Sequence, residues 1–130
     1  MIVLNDQQLD SLITSRTRNA WVDIVDIDKN LYVGKVYLRI SKRIFNGMMQ
    51  NTLDLSTISI EEEFQNSGYG SDTIKEILKI AKTRIPVYGV YVENVINPIL
   101  STILVKKFKF HILAKQLLDR CYFKRIDHQK

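Results

Sequence analysis

Cysteine is nearly missing from this chain: its 130 residues contain only Cys121. A single cysteine excludes an internal disulfide framework and is typical of a reducing compartment. The sequence has no Cys-x-x-Cys pair, and its two histidines, His111 and His128, are far apart. Zinc sites use clustered cysteine and histidine ligands. We therefore expect no bound metal and no internal disulfide.

Long apolar runs and flexible linkers are also missing. No stretch approaches the roughly 18 apolar residues that a membrane-spanning helix needs. The opening MIVLNDQQLD lacks the basic segment and the apolar length of a signal peptide. No repeat, low-complexity tract or linker rich in proline or glycine divides the chain. We expect one cytoplasmic domain over residues 1–130, with no membrane partner.

Basic residues outnumber acidic ones, 19 to 14, for a formal net charge of +5. Such an excess favours an anionic partner, which leaves nucleic acid, a phosphorylated cofactor and an acidic protein open. The basic residues fall into two groups, one around Lys35 to Arg43 and one in the last third of the chain. A solvated face explains either group equally well.

The first half of the chain predicts a helix followed by strands. Within residues 5–18, Leu9, Leu12 and Ile13 recur at helical spacing. The alternation in AWVDIVDID and the β-branched and aromatic residues of LYVGKVYLRI predict two strands. Residues 41–51, SKRIFNGMMQN, are interpreted as a loop.

The segment TLDLSTISIEEEF has a period of two, which predicts a strand with two distinct faces. One face would carry Leu53, Leu55, Thr57 and Ser59, and the other Asp54, Ser56, Ile58 and Ile60. Beyond two glycines, Ile74, Ile77, Leu78 and Ala81 follow helical spacing. That helix should end before Pro86, and VYGVYVENV should return as a strand parallel to the first.

A second helix is predicted after this strand, with Asn97 as N-cap and Pro98 as its first residue. The segments HILAK and CYFKRI then predict a closing β-hairpin. Strands, helix, strand, helix and two strands make an α/β (α+β) chain with a mixed sheet.

The turn QNSGYGS, between a predicted strand and a predicted helix, is the strongest local motif. Gly68 and Gly70 permit positive φ, so consecutive N–H groups can point at one anion, helped by the helix N-terminus. A plain structural turn explains the glycines equally well. Ser71-Asp72 after the second glycine excludes a Walker motif, and Thr73 excludes the dinucleotide fingerprint.

The pattern Gln65-x-x-Gly68-x-Gly70 resembles the Q/R-x-x-G-x-G/A motif of the GNAT superfamily, the acyl-CoA-dependent N-acyltransferases. ISIEEEFQNSGYGSDTIKEIL resembles that family's fourth strand, pyrophosphate loop and third helix. VYVENVINPILSTILVKKFKF resembles its fifth strand and fourth helix. The resemblance covers residues 52–127 as an acyl-CoA-binding core and leaves residues 1–51 as a variable N-terminal part.

The resemblance implies a mixed sheet whose two central parallel strands splay apart around the pantetheine arm of acetyl-CoA. It implies main-chain bonds to that arm near Ser59 and Ile60, and a match of Asn97 to a recurrent asparagine of the family. The pyrophosphate would be held by the turn, which comprises Gln65, Asn66, Ser67, Gly68, Tyr69, Gly70 and Ser71. The acyl group would pass directly to an amine, with no covalent enzyme intermediate.

Proton-transfer candidates near the expected splay are few. Asp54 is the candidate base, although an exposed strand carboxylate is the plainer interpretation. The family's tyrosine acid is replaced by Leu104, so Tyr91 and Ser101 are the candidate donors. Core packing explains a strand tyrosine equally well. Glu61 to Glu63 are interpreted as a solvated strand end.

Three hypotheses follow. The first is an enzyme that transfers an acetyl or other acyl group from acyl-CoA to a primary amine. The second is an acyl-CoA-binding domain of the same fold without activity, and the third is a small basic nucleic-acid-binding protein. The acceptor amine is open among a protein, a small amine and a nucleic acid, and a homodimer that completes the site is also left open.

Overall fold

A computed structural model describes residues 1–93, 98–115 and 120–127 of the chain. Within these residues the strands are β1 (Ile2–Leu4), β2 (Asn19–Asp26), β3 (Leu31–Phe45), β4 (Met48–Ile60), β5 (Gly89–Val92), β6 (His111–Lys115) and β7 (Arg120–Arg125). The helices are α1 (Asp6–Thr14), α2 (Tyr69–Thr83) and α3 (Pro98–Thr102), and α3 continues as a π-helix over Ile103–Lys107. Together they form the mixed α/β architecture that the sequence predicts.

The strands form one seven-stranded sheet in the order β1-β2-β3-β4-β5-β7-β6. The pair β4–β5 is parallel, and the other neighbouring pairs are antiparallel. A parallel pair requires a crossover, and α2 supplies it between β4 and β5. The predicted strand–helix–strand unit and the predicted closing hairpin of β6 and β7 are both confirmed.

The two faces of the sheet differ. Leu38 and Leu55, which pair across β3 and β4, are buried on the face that α1 and α2 cover, and we call this the helical face. The two helices lie side by side there, and Arg84 Nη1 at the end of α2 donates to Asp6 Oδ1 at 2.8 Å. The paired residues Arg39 and Asp54 lie on the other side, which we call the open face.

The predicted loop at residues 41–51 is wrong, because this segment is a hairpin. β3 runs on to Phe45 and β4 begins at Met48, with Asn46 and Gly47 between them. Both turn residues have positive φ, 51° and 79°. Asn-Gly is the preferred pair for such a two-residue turn, because its twist matches that of the strands. The hairpin extends β4 upstream of the predicted strand start.

The predicted faces of β4 also need correction. Tyr37 of β3 pairs with Thr57 and Leu38 pairs with Leu55, so Ser56 between them is a β-bulge. One extra residue reverses the alternation of side chains beyond it. Asp54 is opposite Arg39 whereas Ile58 is opposite Val36, three residues away, so Asp54 and Ile58 lie on opposite faces. The sequence pattern had predicted Asp54 and Ile58 on the same face.

The predicted helices form with shorter bounds. α1 ends at Thr14 rather than near residue 18, and its N-cap Asn5 accepts the Gln8 N–H at 2.9 Å. α2 ends at Thr83, before Pro86 as expected. The predicted N-cap Asn97 lies outside the described residues. Among those that are described, the helices are all too short or too polar to cross a bilayer.

Candidate functional site

The described pairing of the parallel strands β4 and β5 is short. They pair only over Thr52–Leu55 and Gly89–Val92 in the described chain. A last backbone bond joins the Glu93 N–H to the Leu55 carbonyl at 3.2 Å. The bulge at Ser56 follows at once, and β4 then continues to Ile60. We call the region beyond this last described bond, at the carboxyl ends of the two parallel strands, the gap; open α/β sheets bind ligands at such a place.

A groove of about 520 Å³ lies on the helical face beside this gap. Its apolar walls come from Ile58 and Ile60 of β4 and from Ile99, Leu100 and Ile103 of α3. The predicted cofactor residues along it are Ile60, Gln65, Asn66, Gly68, Tyr69, Gly70 and Ser71. Ser59 and Ser67 are not among the lining residues.

Backbone conformation shapes the turn that closes one end of the groove. Asn66 and Gly68 have φ of 62° and 84°, the left-handed region that favours asparagine and glycine. The first intrahelical bond of α2 runs from the Asp72 N–H to the Gly68 carbonyl at 3.0 Å. The N–H groups of Tyr69, Gly70 and Ser71 come before that bond and meet the positive end of the helix dipole. This geometry suits an anion such as a phosphate.

Gly70 contributes space rather than unusual φ. A Cβ built on it would meet no atom within 4 Å, and its φ is not in the left-handed region. The backbone there is open to close approach by a ligand. Gln65 fixes the turn to the strand end, because its Nε2 donates to the Ile60 carbonyl at 3.0 Å.

Tyr69 ties the start of α2 to β2. Its hydroxyl donates to Asp26 Oδ2 at 2.8 Å, and Asp26 is buried. This hydrogen bond lowers the pKa of Asp26 and raises the pKa of Tyr69, because it stabilises the carboxylate and the protonated phenol. Phe64 packs edge-on against the Tyr69 ring. The turn is therefore anchored from two sides.

The π-helix brings a cation to the turn. Lys107 Nζ donates to Ser71 Oγ at 2.7 Å. Single π-turns in helices occur often at functional sites. In the sequence analysis Lys107 was one of the basic residues of the last third of the chain. Its position in the predicted helix did not indicate that its side chain reaches the turn. Leu104, at the position of the family's tyrosine, is fully buried.

Ser101 is directed at β7. Its Oγ is hydrogen-bonded to the Tyr122 hydroxyl, and Tyr122 is fully buried on the strand next to β5. Ser101 is not among the groove residues, although its helix neighbour Leu100 is. In this arrangement the Ser101 hydroxyl is engaged by a core tyrosine.

A network of charges occupies the open face at the same level as the gap. Asp54 is fully buried, and its Oδ1 accepts from Thr52 Oγ1 at 2.7 Å. Its Oδ2 accepts from Arg43 Nη2 at 2.7 Å and from Arg39 Nε at 3.4 Å. The exposed aspartate that the sequence left open is thereby excluded, because this carboxylate is buried and multiply bonded.

Glu93 continues the network at the mouth of the gap. Its Oε1 accepts from Arg39 Nη2 at 2.5 Å and from Ser56 Oγ at 2.6 Å. The Glu93 side chain is 18% exposed, so solvent or a ligand can reach it. The network therefore begins at a buried carboxylate and ends at an accessible one.

Tyr91 lies beside Asp54 in the register, and the Arg43 guanidinium carbon sits 3.6 Å from the centre of its ring. Burial raises the pKa of Tyr91 to about 12, and a hydrogen bond with Cys121 adds to the effect. The phenol therefore keeps its proton at neutral pH. In the described ranges, no group of three or more His, Cys, Asp or Glu residues is arranged to hold a metal ion.

Sequence reasoning missed Arg39, Arg43, Ser56 and Glu93 as members of a site. A usable signal existed for Glu93, which follows Tyr91 by two residues and lies directly after that strand. The arginines were visible only as part of a basic group, because their carboxylate partners are distant in sequence.

Comparison with solved structures gives the fold. The chain superimposes with TM-scores of 0.63 to 0.64 on GNAT acetyltransferases over nearly its whole length. In the KacTA–DNA complex the identity is 14%, and the match covers 96% of this chain and 93% of that one. For the AtaT toxin bound to acetyl-CoA and the C-terminus of the antitoxin AtaR, the values are 15%, 96% and 92%. For NAA60 of Arabidopsis thaliana with a bisubstrate analogue they are 14%, 98% and 100%.

No protein-family model and no curated protein sequence matches the chain. The chain nevertheless has the GNAT fold, and the resemblance carried by QNSGYGS and its flanking segments is confirmed at this level.

Proposed function

We propose that the chain is an N-acyltransferase that transfers an acetyl group from acetyl-CoA to a primary amine by direct attack. The observation that carries the proposal is the groove on the helical face, whose apolar walls meet the N-terminus of α2 beside the carboxyl ends of β4 and β5. An accessible carboxylate, Glu93, lies at the end of β5 on the open face. We assign the cofactor to the groove and the acceptor to the open face.

The groove fits the proposed cofactor. Acetyl-CoA combines a narrow apolar arm with a diphosphate, and the groove combines apolar walls with the free N–H groups at the start of α2. We assign the diphosphate to the turn Gln65–Ser71, with Lys107 as an added cation, and the arm to main-chain groups near Ser59 and Ile60. Asn97 stays in the proposal on the resemblance alone. Acetyl-CoA and a bisubstrate analogue are bound in two of the similar structures.

The bulge at Ser56 bends β4 at the place to which we assign the acyl group. We assign a backbone N–H of β4 to the thioester oxygen there. An N–H directed at the thioester oxygen would stabilise the charge that develops on it. Holding amine and thioester together supplies much of the remaining rate.

The leaving thiolate needs little help from an acid near neutral pH. This matters because Leu104 cannot donate a proton and Ser101 is bonded to Tyr122. Tyr91 stays protonated, but a phenol with a pKa of about 12 is a weak acid. Ser101 and Tyr91 remain the proposed donors, with a minor contribution to the rate. Asp54 was the candidate base. Because it is fully buried and bonded to Arg39 and Arg43, we propose that it holds these two arginines in place.

Thermal unfolding with and without acetyl-CoA tests cofactor binding. At about 100-fold excess over Kd the native state gains roughly 2.7 kcal/mol, which raises the midpoint by several degrees. Thiol release from acetyl-CoA then tests transfer to protein, polyamine and nucleobase amines. No shift at millimolar acetyl-CoA would overturn the proposal.

A second candidate is an acyl-CoA-binding domain without activity, favoured by the buried Leu104 at the position of the family's tyrosine. It predicts the same thermal shift with no thiol release for any amine. The nucleic-acid-binding alternative predicts no shift, together with duplex binding that weakens steeply with salt.

A further inference from the structure

Glu93 lies directly after β5, at the edge of the gap. Its N–H makes the last described bond between the two strands, and its carboxylate accepts from Ser56, the bulged residue across the gap. We propose that Glu93 receives the acceptor's protonated primary amine and removes its proton. This inference rests on the proposed acyltransferase function and names the residue that acts on the acceptor.

Accessibility separates Glu93 from the other carboxylate of the network. Asp54 is fully buried and uses both oxygens on Thr52, Arg39 and Arg43. In the described residues, both bonds to Glu93 end on Oε1, and its side chain is 18% exposed. We therefore assign the entering amine to Oε2 of Glu93.

The charged groups around Glu93 balance one another, so they do not oppose an entering ammonium group. Arg39 and Arg43 are matched by Asp54 and Glu93, and Tyr91 is neutral because its pKa is about 12. An ammonium group that bonds Oε2 adds one cation next to this balanced set. Arg39 stays in place because it also bonds Asp54. Its bond to Oε1 holds the carboxylate in one orientation.

The proposed step moves one proton of the amine to Glu93 and one to the leaving sulfur. The ammonium N–H donates its proton to Glu93 Oε2, which frees the nitrogen lone pair. The nitrogen attacks the thioester carbon, the C–N bond forms, and the C–S bond breaks with its electron pair on sulfur. The second nitrogen proton ends on the thiolate, and Glu93 returns its proton to solvent.

The test uses two probe amines with acetyl-CoA. Butylamine is protonated at neutral pH and needs a base, whereas hydroxylamine is largely unprotonated and does not. Glu93→Gln keeps an oxygen for Arg39 and Ser56 but cannot take the proton. We expect turnover with butylamine to fall by about 10² or more, a typical contribution of a general base. With hydroxylamine the loss should stay under about tenfold, which is well below the contribution of a general base.

Controls distinguish this inference from the proposed function. The acetyl-CoA thermal shift should be unchanged in Glu93→Gln, and Glu76→Gln on α2 should match the wild type with both amines. The butylamine rate of Glu93→Gln should also rise with pH as the free amine does. Equal losses with both amines, or no loss, would overturn the role of Glu93 while leaving acyl transfer intact. A wild type that binds acetyl-CoA but acetylates neither probe would overturn it as well, since an accessible amine site must admit small amines.

Discussion

The two faces of the sheet present different kinds of chemical group. On the helical face, the groove presents backbone N–H groups from one continuous turn between Gln65 and Ser71, with apolar walls. On the open face, side-chain charges from β3, from β4 and from the end of β5 form one network. The first site depends on local backbone conformation. The second depends on strand register, because its members meet only when three separate segments align.

The largest expected effect comes from removing the centre of the open-face network. Asp54→Ala removes the buried acceptor of Thr52, Arg39 and Arg43, which should cost about 1–3 kcal/mol of unfolding free energy. Urea unfolding measures it. Asp23→Ala, a partly exposed carboxylate bonded to Gln8, should cost under about 1 kcal/mol. If the faces are independent, the acetyl-CoA shift survives Asp54→Ala; its loss would show that they are coupled.

Two glycines with nearly the same φ allow the turn at the groove to be compared with a hairpin turn. Gly68 and Gly47 have φ of 84° and 79°, and an added Cβ meets nothing within 4 Å at either. Alanine at each should cost about 1–2 kcal/mol from the left-handed conformation alone. Only Gly68→Ala should also weaken acetyl-CoA, by about tenfold, if one charge-assisted bond is lost. Equal affinities in both variants, measured by calorimetry, would contradict the assignment of the turn.

A smaller effect is expected from Lys107, the cation that bonds the turn. Lys107→Met removes the ammonium group that lies 2.7 Å from Ser71 Oγ and should weaken acetyl-CoA by about threefold to tenfold. The difference from wild type should shrink as salt screens the charge. Its neighbour Lys106, mutated to Met in the same way, is the control and should bind like wild type. Affinities that agree between the two variants would remove Lys107 from the cofactor site.

The smallest expected effect is the alkaline stability contributed by Tyr91. Its folded pKa, about 12, is raised above the ordinary value of 10.0, so its contribution is complete below pH 10 and is lost as pH rises to 12. Tyr91→Phe should flatten the fall in unfolding free energy across this window. Urea unfolding at several pH values measures the slope, and an unchanged slope would mean that Tyr91 ionises normally.

The turn and the helix that border the groove on the helical face were predictable because their information is local. Gly68, the first helical residues and the spacing of Ile74 and Ile77 lie within one short segment, and α2 formed as expected. The same holds for the order of strands and helices. The hairpin at Asn46-Gly47 was also encoded locally, and the sequence interpretation missed it by treating the whole segment as a loop.

The open-face site could not be derived in the same way. Nothing in TLDLSTISI marks Ser56 as an extra residue, because a bulge exists only relative to the partner strand. Asp54 was therefore predicted on the same face as Ile58. Glu93 and Arg39 are 54 residues apart in sequence, and no short-range pattern records their contact. Arg39 and Arg43, which a solvated face could have explained, are paired with Asp54 and Glu93.

The bulge at Ser56 also bears on how such a chain can change over generations. Upstream of it, substitutions on the face of Asp54 change the charged network; downstream, those on the face of Ile58 and Ile60 change the wall of the groove. One strand thus carries two surfaces that can be altered separately, divided by a single residue. Under the proposed function, a lineage could change its preference for the acceptor without changing the residues assigned to the cofactor.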